Sequence, residues 1–276
     1  MLSVGSLFSG AGLCDLGLHM AGFKHLFFCE SDAFCRSILA RHWPDVPIYK
    51  DVRDVSGLTA PKADVLAGGF PCQDVSNAGG RRGIKQGTRS GLWYEYARII
   101  SEMRPRYAII ENVKGLLSNG IWVVLSELAD IGYDAEWTCL PAAAVGAPHI
   151  RQRIFIVAYP HGVRADGQRG VLSTLQGDLG TNHQPGRGAD WLGVPLDRTS
   201  RASIRAVYGR CVLRRVGDGA SGGLDDSNGR EPGGILPLTP EERKDWRPRL
   251  KAIGNGVCPQ QAYRIAQCIL QAEGLA

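Results

Sequence analysis

The chain has 276 residues, 44% of them hydrophobic, with a formal net charge of +5 and a pI near 8.8. That length and apolar content suffice for one large domain, or a domain with a modest second lobe, around a full core. The charge leaves anionic partners open but falls short of the basic footprint of a dedicated nucleic-acid module. The N-terminus "MLSVGSLFSGAGLCDLG" lacks the basic segment and cleavable apolar core of a signal peptide. No run approaches the roughly 20 apolar residues of a membrane span, so a soluble cytoplasmic protein with no membrane partner is expected. The 8 cysteines show neither CxxC nor Cys/His zinc spacing. They are expected to be reduced thiols, one of them reactive, with no metal.

In chain order, "LSVGSLF", "HLFFCE", "ADVLAGG", "RYAIIENV" and "RIFIVAY" are short apolar runs rich in branched and aromatic residues, which predicts buried strands. Helical candidates at residues 12–21, 32–42, 91–103 and 121–131 lie between them. Strand alternating with helix predicts an α/β fold, a doubly wound and mostly parallel sheet with helices on both faces. After residue 160 the texture changes: residues 160–250 hold 16 of the 36 glycines and no sustained period of either kind. From "RLKAIGNGVCPQQAYRIAQCILQAEG" a helix returns, with Pro259 at its first turn and Ile265, Ile269 and Leu270 at helical spacing. Three segments are therefore expected: 1–159 as the main domain, 160–249 as a small irregular lobe, and 250–276 returning to the first domain.

"SLFSGAGLCDLGL" sets Gly10 and Gly12 after the first strand and before a helix, so that a ligand can approach backbone amides. The third glycine of a full GxGxxG is replaced by Asp15. Glu30 ends the second strand, where such sheets place a carboxylate that accepts from ribose hydroxyls. Asp51 adds a polar group at another strand end. Together these suggest an adenosine-bearing cofactor, with a nicotinamide enzyme as the rival and an unliganded turn as the plain alternative.

Cys72 in "GGFPCQDVS", Glu111 in "ENV", and Arg151 with Arg153 before the last strand all fall at predicted carboxyl ends of strands. Singly, each has an ordinary explanation: a buried thiol, a solvated carboxylate, surface ion pairs. Jointly they supply one reaction. Carbon 5 of cytosine becomes nucleophilic only after a thiolate adds to carbon 6, with a proton at ring nitrogen 3 from a protonated Glu and donors from Arg at the ring carbonyl. Cationic neighbours and loop amides favour the thiolate.

The ordered set "SLFSGAG", "FCESD", "KDVRDV", "GGFPCQDVS", "IIENVKGLL", "APHIRQRIFIVA" and "AIGNGVCPQ" resembles the cytosine carbon-5 DNA methyltransferase family, over residues 2–159 and 250–272. The resemblance implies a Rossmann-like methyltransferase sheet with a target-recognition lobe. It implies Cys72 as nucleophile, Glu111 as the nitrogen-3 partner, and Arg151 and Arg153 as donors around the base. For S-adenosylmethionine it implies Phe8, Gly10 and Gly12 around the adenosine and methionine parts, Glu30 at the ribose, and Asp51 and Val52 at the adenine. Pro71 and Leu92 would flank the sulfonium, with Asn255 and Val257 closing the pocket. The partners it implies are double-stranded DNA and, within a restriction-modification system, a cognate restriction endonuclease. A monomer in a prokaryotic or phage-encoded setting, associated with the nucleoid, is expected. Where many members have Gln before the arginine pair this chain has His149, and only "LTPEE" at 238–242 echoes the element that closes the recognition region.

Residues 77–90, "NAGGRRGIKQGTRS", carry four basic residues, four glycines and no acid, which suits a loop closing over DNA while the target base is swung out of the stack. Residues 160–250 hold 14 Arg or Lys against 11 Asp or Glu, so guanidinium groups are at hand for guanine edges or phosphates. The same chemistry on tRNA, a catalytically silent DNA-binding relative and a nicotinamide oxidoreductase remain as alternatives. The last lacks a second cysteine at CxxC spacing from Cys72.

Overall fold

The computed structural model describes residues 1–71, 84, 90–147, 149–163, 170–173, 175, 248, 251, 252, 254 and 256–275. Seven strands form one sheet: β1 (Ser3–Leu7), β2 (Lys24–Cys29), β3 (Ile48–Tyr49), β4 (Val65–Gly68), β5 (Tyr107–Val113), β6 (Tyr133–Pro141) and β7 (Gln152–Pro160). Their spatial order is β3-β2-β1-β4-β5-β7-β6. β1 to β5 pair in parallel, whereas β7 runs antiparallel to both β5 and β6. The five strands predicted from apolar runs are all present. β3, with two residues, is the strand expected to end near Asp51, and β6 was not predicted. β6 is an edge strand of mixed and mostly partial burial, with Trp137 exposed and Leu140 buried, so it lacks the continuous apolar run that marks a central strand.

The helices are α1 (Leu13–Met20), α2 (Ala33–His42), α3 (Trp93–Met103), α4 (Leu116–Asn119), α5 (Ile121–Asp130) and α6 (Pro259–Ala272). Asp32 caps α2 by accepting from the N–H groups of Phe34 and Cys35. Two cores flank the sheet. One gathers Phe27, Leu66, Trp93, Tyr96, Ile100 and Ile110 between the sheet and α3 and α5. The other gathers Val4, Leu18, Ile109, Val157, Ile265 and Ile269 between the sheet and α1 and α6.

α6 lies directly on α1. A Cβ on Gly17 would stand 2.2 Å from the Pro259 carbonyl oxygen and 2.8 Å from the Ala262 Cβ, so only glycine lets the two backbones approach this closely. The chain thus returns to α1 after the long intervening segment. Among the described residues no helix is long and apolar enough to cross a membrane.

Under α1, Asp15 and His25 form a pair with Oδ1 3.2 Å from Nε2 and both side chains 1% exposed. The His25 ring stacks on Phe28 at 5.1 Å and meets Trp43 at 5.4 Å. Aromatic walls leave neither polar group another place to turn, so losing one strands the other away from water. Asp15→Leu is expected to cost about 1–3 kcal/mol in urea unfolding. Adding His25→Phe should cost less than the sum of the two single changes, and strict additivity would show that the pair is not coupled.

Candidate active site

The order of the strands reverses between β1 and β4, and their carboxyl ends open a crevice at that point. A cavity of about 610 Å³ occupies it, within the size range of small-ligand sites. Phe8, Gly10, Glu30, Asp51, Val52, Pro71, Leu92, Glu111, Arg153 and Val257 all line it. Gly12 does not. Its backbone is left-handed at φ +77°, and a Cβ there would come within 2.9 Å of Leu39 and Trp43, so it seats α1 against the end of α2. Arg151 also stands outside the lining. Cys72 and Asn255 lie outside the described residues, as do nearly all of 77–90 and most of 160–249.

Sharp backbone turns build one wall. Phe8, straight after β1, has φ +53°, a left-handed conformation that costs a non-glycine residue roughly 1–2 kcal/mol. Gly10 follows at φ +57° with nothing within 4 Å of its missing Cβ, so its backbone stands open to the cavity. The Ser9 hydroxyl accepts from the Cys29 N–H at 3.3 Å and from the Ser6 hydroxyl at 2.8 Å, which stitches this turn to the end of β2. Glu30 is held at both oxygens: Oε2 accepts from the Gly10 N–H and Oε1 from the Asp32 N–H, each at 2.7 Å. Two amide donors fix that carboxylate with lone pairs still facing the cavity, the arrangement a ribose diol needs. Asp51 accepts from the Arg53 N–H at 2.9 Å and pairs with the Arg53 guanidinium at 3.1 Å.

The opposite wall holds the acid. β5 and β7 pair Glu111 with Phe155 and Val113 with Arg153. Glu111 and Arg153 are therefore diagonal neighbours on one face, with Arg153 Nε 2.7 Å from Glu111 Oε1. Gly69 packs against the same carboxylate, since a Cβ there would lie 2.4 Å from Glu111 Oε2. Beside it Asn112 donates from Nδ2 to the Phe70 carbonyl at 3.1 Å and accepts from the Val113 N–H at 2.9 Å. It binds the end of β5 to the segment that leads through Pro71 to Cys72. Sequence reasoning quoted Asn112 within "ENV" and gave it no role; its signal was its place next to Glu111.

The second arginine and the C-terminal segment close the site from above. Arg151 donates to the Gly254 carbonyl, and Arg153 donates from Nη2 to the Gly256 carbonyl at 3.3 Å. Lys251 Nζ reaches Asp32 Oδ2 at 3.0 Å. The segment before α6 thus hangs from Arg151 and from Arg153, the guanidinium that faces the acid, and Val257 stands in the cavity wall.

Burial raises the Glu111 carboxyl above its usual 4.5, against the lowering influence of Arg153 and Arg151. Burial likewise pushes the cavity thiols up, Cys14 well above the usual 9.0 and Cys29 and Cys35 to about 12. Those three sulfurs stay protonated and are poor nucleophiles. No cluster of three or more His, Cys, Asp or Glu side chains able to hold a metal ion occurs among the described residues.

The seven-stranded order and the crevice at its reversal are those of the Rossmann-like methyltransferases. S. pombe Dnmt2 methyltransferase superposes with a TM-score of 0.52 at 18% identity, over 64% of this chain and 55% of its own, a likeness of fold. The family model for C-5 cytosine-specific DNA methylases matches residues 2–184, and the chain belongs to that family. Type II methyltransferase M2.BsuMI of Bacillus subtilis (strain 168) is 36% identical over 165 residues, covering 57% of this chain and 42% of the relative. Type II methyltransferase M.FnuDI of Fusobacterium nucleatum is 37% identical over 158 residues, covering 56% and 46%. The chain therefore matches less than half the length of either relative.

Since Glu111 keeps its proton to higher pH folded than unfolded, its contribution to stability is full below the unfolded value of 4.5 and is lost as pH rises through the raised folded value. Glu111→Gln removes that slope. The unfolding free energy of the variant should gain on that of the native chain as pH rises above 4.5, in denaturant titrations at a series of pH values. A gap that does not change with pH would show that the carboxyl titrates alike in both states.

Proposed function

We propose that the chain transfers a methyl group from S-adenosylmethionine to carbon 5 of a cytosine flipped out of a short duplex DNA sequence, through a transient bond from Cys72. The observation that carries the reading is the largely buried Glu111–Arg153 pair, with 14% and 9% of the side chains exposed, lining one cavity with the glycine turn and the amide-bound Glu30. A carboxyl whose affinity for its proton is raised by burial, beside a fixed guanidinium, suits a ring gaining negative charge.

When bound, the cofactor supplies a sulfonium-activated methyl group. Gly10, with Phe8 and Gly12, would shape the turn around its adenosine and methionine parts. Glu30 would accept from the ribose hydroxyls, and Asp51 and Val52 would meet the adenine. Pro71 and Leu92 would flank the sulfonium, and Asn255 and Val257 would close the wall. The fit is supported by the open backbone at Gly10 and by the fixed carboxylate of Glu30.

In the reaction the Cys72 thiolate would bond to carbon 6 of the ring. The electron pair displaced toward nitrogen 3 is met there by the Glu111 proton, while Arg153, with Arg151, would donate to the ring carbonyl. Carbon 5, now an enamine carbon, would take the methyl group, with the neutral thioether S-adenosylhomocysteine as leaving group and the nitrogen-3 proton returned to Glu111; loss of the carbon-5 proton to a base then expels the thiolate as the 5,6 double bond re-forms. The raised thiols of Cys14, Cys29 and Cys35 support assigning the nucleophile to Cys72.

The basic residues of 77–90 and 160–249 would hold the duplex while one base is out of the stack. Action beside a restriction endonuclease is supported by the names of the type II relatives. A monomer suffices, because attack on one base needs no two-fold symmetry.

Cys72→Ser should abolish both methylation and the trapped adduct with DNA containing 5-fluorocytosine; an active variant would end the covalent mechanism. Gly69→Ala presses chiefly on the flexible end of Glu111, 2.4 Å from its Oε2, and more lightly on the Glu111 carbonyl oxygen at 3.2 Å. It should fold normally yet lose about tenfold or more in kcat, the scale of a misplaced catalytic group. Bisulfite sequencing of the plasmid that expresses the chain reads activity, base and sequence context together.

A further inference from the structure

Asp51 and Val52 form the adenine end of the cavity on the reading above, yet the sheet scarcely supports them. β3 is two residues long, and Val52–Asp54 is a single 3-10 turn with no helix or strand following it until β4. Val52 and Val55 are nevertheless buried, at 5% and 0% exposure; within the turn the Val52 carbonyl accepts from the Val55 N–H at 3.2 Å, which leaves the Val55 carbonyl and the second lone pair of Val52 to find donors elsewhere. Arg98 on α3 provides them. Its Nη2 donates to the Val55 carbonyl at 2.9 Å and to the Val52 carbonyl at 3.4 Å.

The guanidinium is itself clamped from its own helix. Nε donates to Glu95 and Nη1 to Glu102, each at 2.8 Å. The other Glu102 oxygen accepts from the Gly57 N–H at 3.1 Å, so helix and loop are joined at two points. α3 begins at Trp93, immediately after Leu92, which lines the far end of the same cavity. One helix is therefore tied to two parts of the lining, Leu92 just before its first residue and the adenine wall through Arg98.

We propose that Arg98 is a positioning residue for the cofactor: without lining the cavity, it fixes the backbone of 52–57 and so sets the shape of the adenine end. A planar fork that reaches two carboxylates and two carbonyls at once is the guanidinium geometry that an ammonium cannot reproduce. This inference rests on the S-adenosyl cofactor reading.

The test uses the full chain with Arg98→Met, which keeps the apolar stem, Arg98→Lys, and Glu102→Gln, which loosens the same clamp from its partly exposed side. Binding of S-adenosylhomocysteine and of adenosine alone is measured by calorimetry, and KM for the cofactor and kcat on DNA by kinetics. Arg98→Met should weaken both ligands by the same factor, on the order of tenfold, as two charge-assisted hydrogen bonds to the loop are lost. KM should rise with kcat within about twofold, the pattern of lost ground-state binding. Lys should restore part of the affinity, and Glu102→Gln should give the same pattern at about threefold. Variants with a lowered Tm but unchanged affinity for both ligands would overturn the proposal, and should Arg98→Met not fold, unchanged affinity in Glu102→Gln does so. If the native chain binds neither ligand, the cofactor reading fails and this inference with it. Binding by the native chain that persists in every variant removes only the role of Arg98.

Discussion

The candidate site depends on the reversal of strand order between β1 and β4. Where consecutive strands lead away from one another, their following loops part and leave a space no helix fills. That space must be lined by whatever comes straight after each strand. In this chain those are the glycine turn after β1, Glu30 after β2, Asp51 after β3, Gly69 to Pro71 after β4, and Glu111 at the end of β5. The crevice also explains the close packing at its floor, where a Cβ on Gly68 would lie 1.9 Å from the Leu7 carbonyl oxygen. β1 and β4 can touch that tightly only because one of them presents no side chain.

Arg153 connects two functions that are otherwise separate. Its Nε faces the acid on β5 and its Nη2 holds the Gly256 carbonyl, next to the cavity-lining Val257. A single rigid fork thereby fixes the acid and the C-terminal wall in one frame. Replacement by Lys would keep the charge and lose that geometry.

Much of this was legible in the sequence, for identifiable reasons. Buried parallel strands announce themselves as apolar runs, so β1, β2, β4, β5 and β7 stood out, and with them the residues at their ends. β6 did not, because an edge strand carrying Asp134, Glu136 and the exposed Trp137 has no continuous apolar run. β3 is too short to leave a pattern. Arg98 and Asn112 were silent for another reason: an arginine in a helix and an asparagine beside a glutamate are ordinary residues until the fold shows which carbonyl each one meets. Gly12 illustrates the converse, since a glycine in a ligand-binding pattern here also answers to Leu39 and Trp43 behind it.

The seating of α6 on α1 has a consequence for the order of events during synthesis. The contact at Gly17 with Pro259 and Ala262 spans nearly the whole chain, a separation that makes closure of the second core slow and late. On the ribosome, β1 to β5 and their helices emerge long before Val257 does. A nascent chain therefore carries the acid and the glycine turn without the last wall of the pocket. The crevice gains its Val257 wall only once α6 has emerged and seated on α1.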